Sequence, residues 1–133
     1  MSSTILIVED DEVARLGLSY LLQADGYETV TATDAGEALE RLHAGPRPDL
    51  VLLDMILPGC DGWFFCGRRQ QDAAAAAVPV VIMTGLGVAD EPWAKALGAV
   101  GLLPKPLDVP RLLRTLAQHT HRQHNEVRQP LPG

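Results

Sequence analysis

Short aliphatic runs alternate with stretches of helical periodicity along the whole chain. The runs that predict β-strands lie at Thr4–Val8, Glu28–Ala32, Leu50–Leu53, Val80–Met83 and Gly101–Leu103. Three of these runs are almost continuously aliphatic, which is typical of strands that are buried on both faces of a parallel sheet. Because a helical pattern follows each run, the order of elements predicts five βα repeats and one doubly wound α/β sheet with helices on both faces.

The first predicted helix follows from apolar residues spaced three or four positions apart, and Gly26 supplies its end signal. A stripe with this spacing normally faces the core of a protein. The residues of the stripe are Val13, Leu16, Gly17, Tyr20, Leu21 and Ala24.

The other predicted helices begin at residues that favour helix starts, namely Asp34, Asp61, Pro92 and Asp108. Glu37 follows the first of them by three positions, which is a capping-box pattern. The aspartates at 61 and 108 are N-cap candidates, and the proline suits the first turn of a short fourth helix that ends near Gly98. The alanine run at residues 73–77 is interpreted as a helix end or a loop.

Length and composition indicate one globular domain. With 133 residues, 47% of them hydrophobic and 21% charged, the chain can bury a core without disulfides or metal, and its two cysteines are too few for a disulfide framework. The net charge of −6 argues against direct nucleic-acid binding. The sequence lacks a signal peptide and a stretch long enough to span a bilayer, so we expect a cytoplasmic protein without membrane insertion. We expect the domain to cover residues 1–118 and a polar tail, with no effector domain, to cover 119–133.

Polar residues follow four of the five predicted strands. They are Glu9, Asp10 and Asp11 after the first strand, Asp54 after the third, Thr84 after the fourth and Lys105 after the fifth. Open α/β sheets bind ligands outside the carboxyl ends of their strands. We therefore expect three acids, a hydroxyl and an ammonium group to meet at one edge of the sheet.

This set of residues predicts phosphoryl chemistry. A cluster of carboxylates is costly unless a cation neutralises it, and oxygen ligands favour a hard ion such as Mg²⁺, with Mn²⁺ as the alternative. With the metal held by Asp10 and Glu9, the carboxylate of Asp54 can attack phosphorus. Lys105 and Thr84 can then bind the transferred group, so the residues predict an aspartyl phosphate.

Four motifs in this order resemble the receiver domain of bacterial two-component response regulators. They read ILIVEDD at residues 5–11, LDMILPGCDG at 53–62, MTG at 83–85 and PKP at 104–106. Spacings of 44, 30 and 21 residues separate Asp10, Asp54, Thr84 and Lys105, and only the last is about one residue shorter than is usual in the family. The resemblance implies a flavodoxin-like three-layer (βα)5 fold with strand order 2-1-3-4-5.

The resemblance also implies a role for each matching residue. Asp54 matches the phosphoacceptor, and Glu9 and Asp10 match the acidic pair. Asp11 is a rival to Glu9 for this pair, but the spacing of the VED motif to Asp54 favours Glu9 and Asp10. The Ile56 carbonyl matches a further metal ligand. The residues that match the switch and phosphoryl-binding positions are Thr84, Gly85 and Lys105. Pro106 matches the cis-proline that follows the lysine.

Two positions depart from the usual family pattern. Leu102 stands where receivers commonly carry a switch tyrosine or phenylalanine, and Gly85 stands where alanine is usual. We therefore expect the surface of the predicted fourth helix, fifth strand and fifth helix to signal differently from other receivers. Ile56 and Leu86 occupy the two positions that tune water access to the phosphoryl group in this family. Because both are apolar, we expect slow self-dephosphorylation.

The resemblance implies a stand-alone phosphoacceptor that catalyses only its own phosphorylation and dephosphorylation. A histidine kinase or histidine phosphotransfer protein would supply the phosphoryl group, and an unidentified downstream protein would bind, with the face around Trp93 as the candidate surface. A phosphatase of the dehalogenase type is disfavoured, since it typically needs an aspartate where this chain has Ile56. A receiver-fold scaffold that binds its partners constitutively remains the alternative, and an origin in a longer regulator or hybrid kinase stays open.

Overall fold

The chain folds around one parallel sheet, as the alternating pattern predicts. The computed structural model describes residues 2–57, 59, 61–87 and 89–120. The strands are β1 (Thr4–Val8), β2 (Glu28–Ala32), β3 (Leu50–Asp54), β4 (Val80–Thr84) and β5 (Gly101–Pro104). All pairs are parallel and the order is β2-β1-β3-β4-β5, which confirms the predicted fold. The last three strands run one residue further than predicted, because the ladder continues through the Asp54–Met83 and Thr84–Pro104 pairs.

Six helices lie in the described part of the chain, one more than the sequence predicts. They are α1 (Glu12–Ala24), α2 (Ala35–His43), α3 (Asp61–Gln70), α4 (Ala73–Ala76), α5 (Glu91–Ala96) and α6 (Val109–Thr120). The additional helix is the alanine run, which forms a separate turn because the side chain of Asp72 accepts a hydrogen bond from the Ala74 amide at 3.0 Å. The predicted fourth and fifth helices are therefore α5 and α6.

The helix starts use side-chain caps close to the predicted ones. Asp34 caps α2, but Glu37 completes the box by accepting from the amide of Thr33, one residue earlier than the usual pattern. Asp108 caps α6 through the Arg111 amide at 3.1 Å. Helix α3 begins at Asp61 itself, so this residue lies inside the helix rather than before it.

The apolar stripe predicted for the first helix is wrong in its orientation. Val13 is 80% exposed and Tyr20 is 69% exposed, whereas the buried residues of α1 are Leu18, Ser19 and Leu22. Ser19 tolerates burial because its hydroxyl is 2.7 Å from that of Thr29. Helix α1 carries apolar residues on both sides, so helical spacing alone does not identify the side that packs against the sheet.

Side chains alternate between the two faces of the sheet and form two core layers. Residues such as Ile5, Ile7 and Leu52 pack under α1 and α6, while Leu6, Val51 and Ile82 pack under α2, α3 and α5. The second layer also contains Cys66, and its burial raises the pKa of the thiol to about 11. Helices therefore cover both faces of the sheet, and its carboxyl-end edge remains accessible.

The polar tail expected from residue 119 is described only in part. Helix α6 continues through Thr120, and residues 121–133, like Cys60, lie outside the described residues. Within the part of the chain that the structure describes, none of the helices has the length and apolar character needed to cross a membrane.

An ion pair joins the end of α2 to the start of α4. The His43 Nε2 atom contacts the Asp72 carboxylate, and its Nδ1 atom lies 2.8 Å from the Leu39 carbonyl. Both ring nitrogens therefore face acceptors, an arrangement that favours the doubly protonated ring. The hydrogen bond to Asp72, followed by the bond to Leu39, raises the pKa of His43 above its ordinary value of 6.5.

This pair predicts a pH-dependent contribution to stability. Because the folded pKa of His43 is raised, the contribution is fully present below pH 6.5 and is lost as the pH rises through the folded pKa. We expect the melting temperature of the wild type, relative to His43→Asn, to decline over that window. Thermal unfolding from about pH 5.5 to about pH 8.5 measures it. Asp72→Asn keeps an N-cap but not the charge and should remove the same pH dependence; parallel curves for all three proteins would contradict the assignment.

Candidate functional site

The candidate site lies at the carboxyl ends of β1, β3, β4 and β5. The strand order places β1 and β4 on either side of β3, and β5 beside β4. Residues that leave these strands therefore meet although up to 96 positions separate them in the sequence, as they do between Glu9 and Lys105. This is the edge at which doubly wound sheets bind ligands.

Three carboxylates meet at this edge. Glu9, Asp10 and Asp54 each present an oxygen, and these oxygens lie within 4.8 Å of one another. Glu9 is 2% exposed and Asp54 is 4% exposed, while Asp10 reaches solvent. Burial, followed by the neighbouring Asp54 carboxylate, raises the pKa of Glu9 above its usual range. A donor set made only of close carboxylate oxygens with one accessible side fits a hard divalent cation such as Mg²⁺.

Asp11, the rival of Glu9 in the sequence, has a different position. Its carboxylate caps α1 by accepting from the Ala14 amide at 2.8 Å. Its own amide donates to Glu9 Oε2 at 3.2 Å, which helps to orient the Glu9 side chain. The structure therefore brings Glu9 into the acidic cluster and uses Asp11 to start the helix.

Lys105 provides the positive charge of the site. Its Nζ atom lies 3.2 Å from Glu9 Oε1 and 3.2 Å from Asp54 Oδ2. Burial by itself would lower the pKa of Lys105, but the charges of Asp54 and Glu9 outweigh burial and raise it. The Lys105 amide donates to the Thr84 carbonyl at 2.9 Å, and the Lys105–Pro106 peptide bond is cis.

The two oxygens of Asp54 have different partners. Oδ2 pairs with Lys105, whereas Oδ1 accepts a hydrogen bond from the Ile56 amide at 3.0 Å. These two contacts fix the plane of the carboxylate at the end of β3. The Ile56 side chain is 49% exposed and points away from the core.

The switch candidates lie on the neighbouring strand end. The Thr84 side chain is buried, and its Oγ1 accepts from the Leu86 amide at 3.1 Å. Gly85 has room for a side chain, because a Cβ atom there would meet Lys105 only at 4.0 Å. Leu86 is partly exposed.

Leu102 is part of the core. It pairs with Ile82 in the sheet, is 8% exposed and belongs to the layer that contains Ala94 of α5. Trp93 of the same helix is half-buried and packs edge-to-face on Trp63 of α3, with ring centroids 6.2 Å apart. The α5 side of the domain is therefore held by an aliphatic residue and a tryptophan pair.

Arg15 is a site residue that the sequence analysis missed. Its guanidinium group donates to the main-chain carbonyls of Glu9 at 3.0 Å and Asp10 at 3.4 Å. These bonds hold the turn that presents the two acids. A basic residue one helical turn after the acids was the available signal, but arginines in such places are more often solvated.

Comparisons with known proteins agree with this architecture. The family model described as the response regulator receiver domain matches residues 5–117. The protein PilH of Pseudomonas aeruginosa is 34% identical over 113 residues, which cover 84% of this chain and 93% of PilH. The response regulator PleD of Caulobacter vibrioides is 38% identical over 109 residues, 81% of this chain but only 24% of PleD.

A solved structure shows the same fold over the whole of its length. The crystal structure of a putative response regulator from Chloroflexus aurantiacus superposes with a TM-score of 0.83 and is 29% identical, covering 92% of this chain and 100% of that one. The family match extends over most of the chain. The chain belongs to the response regulator receiver domain family of two-component signalling.

Proposed function

We propose that the chain accepts a phosphoryl group on Asp54 from a phosphohistidine of a histidine kinase or histidine phosphotransfer protein. Receiver domains are signalling domains rather than classical enzymes, interact with such phosphodonors and with downstream targets, and bind Mg²⁺ at an acidic pocket. The observation that carries the proposal is the environment of Asp54. It is a buried carboxylate whose oxygens are held by Lys105 and by the Ile56 amide, beside two further acids.

In the proposed reaction a carboxylate oxygen of Asp54 forms a bond to phosphorus. The bond between phosphorus and the donor imidazole nitrogen breaks, and its electron pair stays on the imidazole. The product is a mixed carboxylic–phosphoric anhydride on Asp54. The protein contributes mainly position and charge, because the orientation of the nucleophile is already set by its two partners.

Charge neutralisation is shared between Lys105 and a divalent cation. Glu9, Asp10, Asp54 and the Ile56 carbonyl are the proposed ligands of Mg²⁺ or Mn²⁺. When bound, the ion reduces the repulsion between the acidic cluster and the incoming phosphoryl oxygens. Lys105 lies within hydrogen-bond distance of Asp54 and can pair with the negative charge of the phosphoryl group after its transfer.

Thr84 and Gly85 are the proposed phosphoryl-binding residues of β4 and its loop. The Thr84 hydroxyl accepts from the Leu86 amide, which leaves its hydrogen to donate to a phosphoryl oxygen. The Gly85 amide is the next main-chain N–H group after Thr84 and is the second proposed donor to the phosphoryl group. Binding of the phosphoryl group would thus change the contacts of the loop that leads to α5.

The proposed output is altered binding of a downstream protein through the face around Trp93. Trp93 is half-buried against Trp63 and lies in the first turn of α5, the helix that this loop enters. Leu102 is an aliphatic core residue, and the tryptophan pair is an aromatic contact on the same side of the domain. The alternative is a scaffold that binds its partners constitutively. The absence of a phosphoryl adduct in the phosphorylation experiment described next would favour that alternative.

The first prediction from the proposed function concerns modification of Asp54. Incubation with acetyl phosphate and Mg²⁺ should add one phosphoryl group, about 80 Da by intact-mass analysis. Asp54→Asn and addition of EDTA should each abolish the gain. Asp11→Asn is the matched control, because Asn still caps α1 and the residue lies outside the acidic cluster. A folded, Mg²⁺-binding protein that gains no mass would contradict the phosphoacceptor proposal.

The second prediction concerns the charge of Lys105. Lys105→Met should lower the free energy of unfolding by about 1–2 kcal/mol at neutral pH, because two buried carboxylates lose their counter-charge. The expected loss is moderate because Lys105 is partly exposed and solvent screens its charge. Urea denaturation in EDTA measures the change. Lys95→Met on the exposed side of α5 should change stability by less than about 0.5 kcal/mol. Equal changes in the two variants would show that the ion pairs contribute nothing.

The third prediction concerns the lifetime of the phosphoryl group. Ile56 and Leu86 are partly exposed, but their side chains carry no polar atom that could orient an attacking water. Ile56→Gln combined with Leu86→Glu should therefore accelerate loss of the adduct by about tenfold or more, equivalent to about 1.4 kcal/mol of barrier. Val13→Gln changes an exposed apolar residue on α1 and should leave the decay unchanged. A double variant that decays at the wild-type rate would remove this explanation.

A further inference from the structure

The first turn of α3 lies directly against the end of β3. A Cβ atom placed on Gly62 would lie 2.4 Å from the Met55 carbonyl oxygen and 3.0 Å from both the carbonyl carbon and the Cα atom of Met55. Each of these atoms belongs to the main chain, so none can rotate aside as a side chain would. Gly62 is therefore required for space, and any larger residue must displace the main chain at position 55.

The Met55 carbonyl is rigidly connected to the amide that orients Asp54. The carbonyl of Met55 and the N–H of Ile56 belong to one planar peptide unit, so a push on one tilts the other. The Ile56 N–H donates to Asp54 Oδ1 at 3.0 Å. The Met55 amide donates a hydrogen bond to the Met83 carbonyl at 3.0 Å, which restrains the main chain at residue 55 against a shift along the strand.

We infer that Gly62 is a positioning residue for Asp54. By allowing α3 to approach the Met55 carbonyl, Gly62 sets the tilt of the Met55–Ile56 peptide and so the direction of the hydrogen bond to Asp54 Oδ1. The carboxylate is then held from both sides, by this amide and by Lys105. The inference rests on the proposed function, since it concerns the reactivity of Asp54.

Gly67 provides a matched control in the same helix. A Cβ atom on Gly67 would meet nothing within 4 Å, and the residue is exposed. Both substitutions by alanine remove a helical glycine, which by itself favours the helix. Only the change at position 62 introduces a main-chain clash, so a difference between the two variants reports on the approach of α3 to β3.

The experiment compares Gly62→Ala with Gly67→Ala and the wild type. Phosphorylation by acetyl phosphate is followed at saturating Mg²⁺, and hydrogen exchange of the Ile56 amide is followed by NMR. We expect Gly62→Ala to slow phosphorylation about tenfold, the equivalent of about one hydrogen bond, and to accelerate Ile56 exchange by a similar factor. Gly67→Ala should stay within about twofold of the wild type in both measurements.

A purely structural role for Gly62 would give a different result. Gly62→Ala would then melt at a lower temperature while its phosphorylation rate and Ile56 exchange stayed at wild-type values, and this outcome would overturn the inference. Failure of the proposed function can be distinguished from failure of this inference. If the proposed function is wrong, the wild type itself gains no phosphoryl group, while hydrogen exchange of the Ile56 amide still reports on the effect of Gly62.

A second measurement applies if Gly62→Ala does not fold. In the wild type the Ile56 amide should be protected from exchange, and Asp54→Ala should remove that protection because the acceptor is lost. Loss of protection in Asp54→Ala supports the link between this peptide and Asp54. An Ile56 amide that exchanges freely in the wild type, or stays protected in Asp54→Ala, would overturn it.

Discussion

The burial of negative charge at the carboxyl edge of the sheet is the constraint on which the rest of this structure depends. Glu9 and Asp54 are almost entirely buried, and Lys105, which follows the last strand, lies 3.2 Å from a carboxylate oxygen of each. An ionised carboxylate in such a place is costly unless it is paired. The pairing requires the ends of β1, β3 and β5 to be aligned, so the strand order and the charge pattern depend on each other. The same charge arrangement fits the divalent cation that receiver domains bind at an acidic pocket.

Main-chain geometry completes the site. Arg15 holds the carbonyls of the acidic turn, the Ile56 amide holds one oxygen of Asp54, and Gly62 allows α3 to approach the peptide that carries this amide. The carbonyls, the amide and the glycine in these contacts belong to the main chain, so orienting the Asp54 carboxylate costs little side-chain entropy. The Asp54 carboxylate is thus positioned largely by the sheet edge and the helical turns next to it.

The α5 side of the domain combines an aliphatic core with an aromatic contact. Leu102 of β5 lies in the core layer that contains Ala94 of α5, whereas Trp63 of α3 and Trp93 of α5 pack against each other edge-to-face. Aromatic pairs contribute beyond their buried area and have preferred geometries. Asp90 caps α5 by accepting from the Trp93 amide, so the start of this helix and the aromatic contact share one residue.

The sequence by itself determined the five strands, the doubly wound sheet and the residues that leave each strand end, because continuous aliphatic runs and strand-end acids are local signals. It did not determine which side of α1 faces the sheet, since Val13 and Tyr20 have the spacing of a core stripe but are exposed. The spacing to Asp54 already favoured Glu9 over Asp11 for the acidic pair, and the tertiary structure added the reason, because Asp11 is used as a helix cap. Only the tertiary structure decided the roles of Arg15 and Gly62, because the reach of the Arg15 guanidinium to two carbonyls and the approach of Gly62 to the Met55 carbonyl are distances that appear only in the folded chain.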